Sequence, residues 1–213
     1  MPAVQDLLNV ARRELGTAEN PPGSNDVKYT RWAGMVGQPW CDIFVSWCID
    51  QAGMKPAEGF HAYTPEHYDA FRRRGRGWPG TAGIQPGDVV FYDFPGGPDR
   101  ISHVGIVETV NPNGSFVAIE GNTDERGGRT GGKVMRQLRS TSVVGYGRPE
   151  YQENDAMTAD DRAYVDAHDL KILIELKKTE VRLTERMKFK SRKTRAELAA
   201  LKADISALEA KVG

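Results

Sequence analysis

Residues 39–53 read PWCDIFVSWCIDQAG. Phe44, Val45, Trp47, Cys48 and Ile49 leave this run no broad polar face, which predicts a helix that crosses a core. Asp42 supplies an acidic residue to the first turn, and Gly53 is a natural stop. Cys41 falls at the apparent helix start, where backbone N–H groups and the helix dipole favour a thiolate. Cys48 falls mid-run between Trp47 and Ile49, the setting of a buried structural thiol. The two cysteines are seven residues apart on one helix, roughly 10 Å along its axis. A disulfide cannot close over that distance, so both thiols are expected free.

A cysteine nucleophile needs a base, usually His, and the base needs an orienting group. Four histidines are present: His61, His67, His103 and His168. His168 falls in a charged helical tail. His61 and His67 lie in FHAYTPEHYDAF, a loop running into a short helix. His103 opens HVGIVETV, a β-branched run that reads as a strand. Asn111-Pro112-Asn113-Gly114 follows as a turn, and SFVAIEGNT reads as the return strand, carrying Glu120 and Asn122. Hairpin register decides which of these groups shares a face with His103. A two-residue turn at 112–113 puts His103 opposite Asn122, with Glu120 on the same face. A three-residue loop with a Gly bulge turns both away unless a second bulge restores the parity. The sequence leaves both registers open.

At these residues the chain resembles the CHAP domain, the cysteine- and histidine-dependent amidohydrolase/peptidase of bacterial and phage cell-wall hydrolases. The resemblance rests on PWCDIFVSWC, on QPGDVVFYDF followed by ISHVGIV, and on AIEGN, and spans roughly residues 3 to 148. It implies a papain-like fold with Cys41 as nucleophile, His103 as base, Glu120 as orienter and Asn122 as an accessory group. Gln38 and Trp40, beside the nucleophile, are candidates for substrate contact, with Gln38 a candidate oxyanion donor. The implied substrate is an amide of a Gram-positive-type peptidoglycan, cut by an amidase or endopeptidase. A wall hydrolase without a visible export signal resembles a phage endolysin, held in the host cytoplasm until the membrane is breached. Two other readings stay open: a non-catalytic wall-binding or virion structural protein on the same scaffold, and a papain-like protease acting on proteins.

The remaining sequence sets limits. Of 213 residues, 29 are Lys or Arg and 29 are Asp or Glu, so no global charge draws the chain to nucleic acid. No run of about twenty apolar residues would span a membrane. No cofactor is expected. Asp26 and Asn25 upstream of the nucleophile fall short of the six to eight oxygens, roughly, that calcium takes, so no obligatory metal is expected either.

Val4, Leu7, Leu8, Ala11 and Leu15 repeat at helical spacing and Gly16 ends that helix. Residues 27–37 read as a short helical or irregular approach. Thr64-Pro65 starts a helix running into Arg72, Arg73, Arg74 and Arg76, a basic patch that reads as a solvated helix end, with contact to an anionic substrate as the alternative. Strands are expected over 88–94, 103–110, 115–120, 133–138 and 143–146. Helices first and strands after predict α+β, an antiparallel sheet packed on the Cys41 helix.

The expected division is a catalytic domain over 1–150, a linker over 151–158 and a charged helix over 159–213. That last stretch has no Gly or Pro before its final residue, and would be roughly 80 Å long as one helix. Leu198, Leu201, Ile205, Leu208 and Val212 begin a coiled-coil seam. Six cations lie between Arg186 and Arg195. Self-association, folding back on the catalytic domain and contact with an anionic envelope are the candidate roles of this tail.

Overall fold

The computed structural model describes residues 4–54, 60–95 and 101–151, together with Lys202, Ala203 and Ser206. Contacts divide the chain into two compact units, Met1–Asp155 and Ala156–Gly213. The C-terminal helix and coiled-coil seam expected from the sequence lie outside the described residues, apart from those last three positions, which are helical. His168 also lies outside them.

The first unit is α+β. Its elements run α1 (Val4–Arg13), α2 (Lys28–Trp32), α3 (Cys41–Gln51), α4 (Thr64–Arg73), then β1 (Gly77–Pro79), β2 (Val89–Tyr92), β3 (His103–Val110), β4 (Phe116–Thr123), β5 (Lys133–Arg139) and β6 (Val143–Gly147). The six strands form one sheet in the order β1-β6-β2-β3-β4-β5, and every pairing is antiparallel. The five longer strands fall where the apolar runs predict them. β1 is a three-residue edge strand that no run of β-formers announces.

Alternation along the strands divides the core in two. Val89, Phe91, Val104, Ile106 and Ile119 join the cluster that includes α1 and α3. Val90, Tyr92, Val107, Phe116 and Ala118 join Ile84 and Tyr146 in a second cluster. Helix α3 is buried nearly all round, as its composition predicts: Cys41 to Ser46, Cys48 and Ile49 are all buried. Its Phe44 meets Tyr29 edge-on at 5.2 Å between centroids, and Tyr29 also packs on Trp40 and Trp47. Burying one such ring contributes about 1.5–3 kcal/mol.

The close seating of α3 on β4 depends on Gly121. A Cβ there would lie 2.7 Å from Phe44 Cβ and 2.9 Å from an indole carbon of Trp40. The end of α1 is fastened to β5 by the Gly16 N–H to Val134 O bond and the Val134 N–H to Thr17 O bond. Among the described residues no helix is long and apolar enough to cross a membrane.

Candidate active site

Cys41 is the first residue of α3 and is 8% exposed. Its thiol differs from the expectation of a helix-start thiolate. Burial pushes its pKa up to about 12, and the charges of Asp42 and Glu120 add to the rise. Backbone N–H groups of the first turn act in the lowering direction but do not outweigh desolvation. The resting group is therefore a neutral thiol. Cys48 is wholly buried, and both thiols are free, as their spacing predicts.

His103 opens β3, and its Nε2 lies 3.0 Å from Glu120 Oε2 on β4, with both side chains fully buried. The hairpin reaches this alignment by the longer of the two routes open to the sequence. Asn111 and Ser115 close a three-residue loop over 112–114, and Val110 pairs Phe116. The register then shifts between Val107 and Thr109, so that Ile106 pairs Ile119. Glu108 is the extra residue of that bulge, and it restores the parity the odd loop removes. Its carboxylate is itself fixed, accepting from Arg12 Nε at 2.8 Å and Arg136 Nε at 2.6 Å.

Glu120 is an anion by the balance of its surroundings. Burial opposes its ionisation most strongly, yet bonds from Arg139 and His103 together hold its carboxyl below the ordinary value. An ionised carboxylate only accepts hydrogen bonds, so the proton shared with His103 sits on Nε2. Nδ1 is buried without a hydrogen-bond partner, so no Sγ···Nδ1 bond is formed in this state. The residues expected as base and orienter, His103 and Glu120, are thus brought together. The thiol lies within reach of the Glu120 field but is not bonded to the imidazole.

Arg139 is a member of the site that sequence reasoning passed over. Its Nε donates to Glu120 Oε1 at 2.8 Å and its Nη2 to Glu120 Oε2 at 2.5 Å. Its guanidinium lies over the rings of Phe94, at 4.7 Å, and Tyr92, at 5.2 Å. Those two rings also flank His103. No local pattern marks this arginine, because its partner is nineteen residues away on another strand.

The other candidates are placed as follows. Asn122 is buried on the irregular end of β4 with φ +57°, and its Oδ1 accepts from Gly132 N–H at 3.2 Å. Its Nδ2 is buried and unpartnered. Gln38 is exposed in the loop before α3. Trp40 corrects an expectation: its ring is wholly buried, with Nε1 donating to Glu19 Oε1 at 2.8 Å. It is a core residue next to Cys41 and offers a substrate no surface.

A second acid–imidazole pair begins at Asp42, next to Cys41. His67 Nδ1 is 2.6 Å from Asp42 Oδ1, both side chains 1% exposed. His61 stacks on His67 at 4.4 Å, and Ser46 Oγ both donates to the His61 carbonyl and accepts from its N–H. Asp42 and Ser46 are four apart on α3, so one face of that helix carries both ties. A signal for this did exist. His67, Ala70 and Phe71 are spaced as a helical stripe, and all three are buried. Among the described residues no group of three or more His, Cys, Asp or Glu side chains is arranged to hold a metal ion.

Residues 32–122 match the family model of the CHAP domain, a span that contains Cys41, His103, Glu120 and Asn122. The resemblance read from the sequence is thus borne out over that span. No curated protein matches the chain. Among solved structures, the wild type endolysin LysIME-EF1 is similar over 72% of this chain and 67% of its own, at 15% identity and a TM-score of 0.49. Ly7917 is similar over 69% of this chain and 62% of its own, at 20% identity and a TM-score of 0.43. A lipoprotein-like protein of the NLP/P60 family from Staphylococcus aureus is similar over 70% and 42%, at 16% identity and a TM-score of 0.43.

Proposed function

We propose that the chain hydrolyses an amide bond of bacterial peptidoglycan, with Cys41 as nucleophile, His103 as general base and acid, and Glu120 as the group that orients His103. The carrying observation is that the CHAP match over 32–122 encloses the cysteine, the histidine and the carboxylate. The neutral thiol gives its proton to the bare Nδ1 of His103 as Sγ attacks the amide carbonyl. The thiol's raised pKa makes this transfer part of the chemical step rather than a resting ion pair. The tetrahedral oxyanion is held by backbone N–H groups at the start of α3, with Gln38 as a second donor from the preceding loop. His103 then protonates the leaving amine, and water, deprotonated by His103, resolves the thioester to release the acid. Asn122 has an accessory role at the irregular end of β4.

The biological setting in this reading is a phage endolysin, made in the host cytoplasm and acting on a Gram-positive-type wall after the membrane is breached. Residues 159–213 then serve wall retention or self-association. Loss of turbidity of purified Gram-positive walls, wild type beside Cys41→Ala, tests the reading. Mass analysis of the fragments names the bond. Lysis that survives Cys41→Ala removes the thiol from the mechanism. Turnover of plain peptides with no action on walls points to the papain-like protease.

A further inference from the structure

We propose that Arg139 is a positioning residue that fixes the tautomer of His103 through Glu120. The inference rests on the hydrolytic reading of Cys41, His103 and Glu120, and adds a residue that reading does not need on its face.

The geometry is a relay across three adjacent strands. His103 on β3 meets Glu120 on β4, and Glu120 meets Arg139 on β5. Arg139 occupies both carboxylate oxygens, and His103 shares Oε2 with it. Rings of Tyr92 and Phe94 stand against both the guanidinium and the imidazole. The Gly127 carbonyl accepts a further bond from Arg139 Nη2 at 3.1 Å, so the fork is held from the loop side too. Among the described residues, the charged and titratable groups next to His103 or its carboxylate partner are Glu120, Arg139 and the buried phenol of Tyr92. The Cys41 thiol feels the charge of Glu120, and the Asp124 carboxylate that of Arg139.

The consequence follows from what a buried carboxyl does without its cation. With Arg139 in place, Glu120 is an anion whose charge is already balanced. It accepts the Nε2 proton and leaves Nδ1 bare, with no excess negative charge to draw a second proton onto the ring. Without Arg139, the fully buried carboxyl has two outcomes. It becomes a neutral acid and donates to Nε2, which moves the ring proton to Nδ1. Alternatively it keeps its charge and captures His103 as an imidazolium, which also protonates Nδ1. In both cases the nitrogen that must take the thiol proton is occupied. Arg139 therefore acts on the base without touching substrate.

The experiment uses the full chain with ¹⁵N-labelled histidine, and a His103→Gln sample assigns the His103 signals. In the wild type at pH 7 the Nδ1 shift should be that of an unprotonated imidazole nitrogen. In Arg139→Met it should move to that of a protonated one, and alkylation of Cys41 by iodoacetamide should slow about a hundredfold, the scale of a lost general base. Arg139→Lys, which returns the charge without the fork, should recover part of both. A wild-type Nδ1 that is already protonated, or a folded Arg139→Met with unchanged Nδ1 and alkylation rate, overturns the proposal. So does Arg139→Lys behaving as Arg139→Met, or failure of both variants to fold, which would make Arg139 a residue of the fold alone. Correct histidine spectra in a protein that does not lyse walls would instead defeat the hydrolase reading and leave this one standing.

Discussion

His67 Nδ1 and Asp42 Oδ1 lie 2.6 Å apart, sealed from solvent, and so bind the helix that begins with Cys41 to the helix that follows it. Asp42 Oδ2 and His67 Nε2 are both buried without partners. The pair is thus a single bond with nothing in reserve. Asp42→Ala leaves the imidazole unpaired in the core, which costs about 1–3 kcal/mol. Asp42→Asn keeps an acceptor for a neutral imidazole and should cost less. Denaturant melts of the two variants check the order, and equal losses would show that the tie contributes little.

The buried thiol sets a second expectation. With a pKa of about 12, only about one Cys41 in 10⁵ is ionised at pH 7 unless a base intervenes. Iodoacetamide should still label Cys41 faster than Cys48, because His103 takes its proton and Cys48 is wholly buried. His103→Gln should slow labelling of Cys41 and leave only the part of the difference that burial of Cys48 makes. Mass spectrometry of timed digests reads both sites.

Gly121 has no room for a methyl group against Phe44 and Trp40. Gly121→Ala should push α3 off β4 and cost about 1–3 kcal/mol, the usual price of overpacking. It should lower wall turnover as well, because the same shift moves Cys41 relative to His103. A thermal melt unchanged from wild type would show that α3 can yield.

Acid stability should follow Glu108. Burial opposes its ionisation most, but Arg136 and Arg12 outweigh that and set its pKa below the ordinary 4.5. A depressed folded value means the stabilisation is present above the unfolded pKa and fades as pH falls through the folded one. Glu108→Gln should therefore be less stable at pH 7, by about 3–5 kcal/mol for a broken buried pair. The gap to wild type should narrow below about pH 4. A gap independent of pH would mean that shape, not charge, matters at the bulge.

A chain ending after Asp155 retains the four helices and six strands described above for the first unit. It should fold and cleave a soluble muropeptide at a rate near that of the full chain. It should also bind whole walls less well or run smaller in light scattering. Failure to fold would place part of the tail in the core.

The legible parts of this protein were those where composition speaks locally. An apolar run with one cysteine at its head marked α3, and apolar or β-branched runs between turns marked five of the six strands described. The hairpin was legible only as a choice, because strand parity depends on a bulge residue, Glu108, whose sequence context is that of any other strand position. Arg139 was invisible, since what makes it special is a carboxylate on a neighbouring strand. His67 reads as a loop-side histidine beside its flanking sequence, although its spacing from Phe71 places it on the buried stripe of α4. The sequence makes Trp40 a candidate for substrate contact, but an indole with its N–H on buried Glu19 is part of the core.

The odd loop and the compensating bulge also bear on how such hairpins change length. Removing one residue from 112–114 alone would turn His103 and Glu120 to opposite sides of the sheet, and removing Glu108 alone would do the same. Removing one of each restores the alignment. Single-residue changes of length here should break the His103–Glu120 alignment one at a time and restore it in pairs, although loss of the Glu108 carboxylate still costs stability. Among relatives, loop length and bulge should then vary together, as a count kept even.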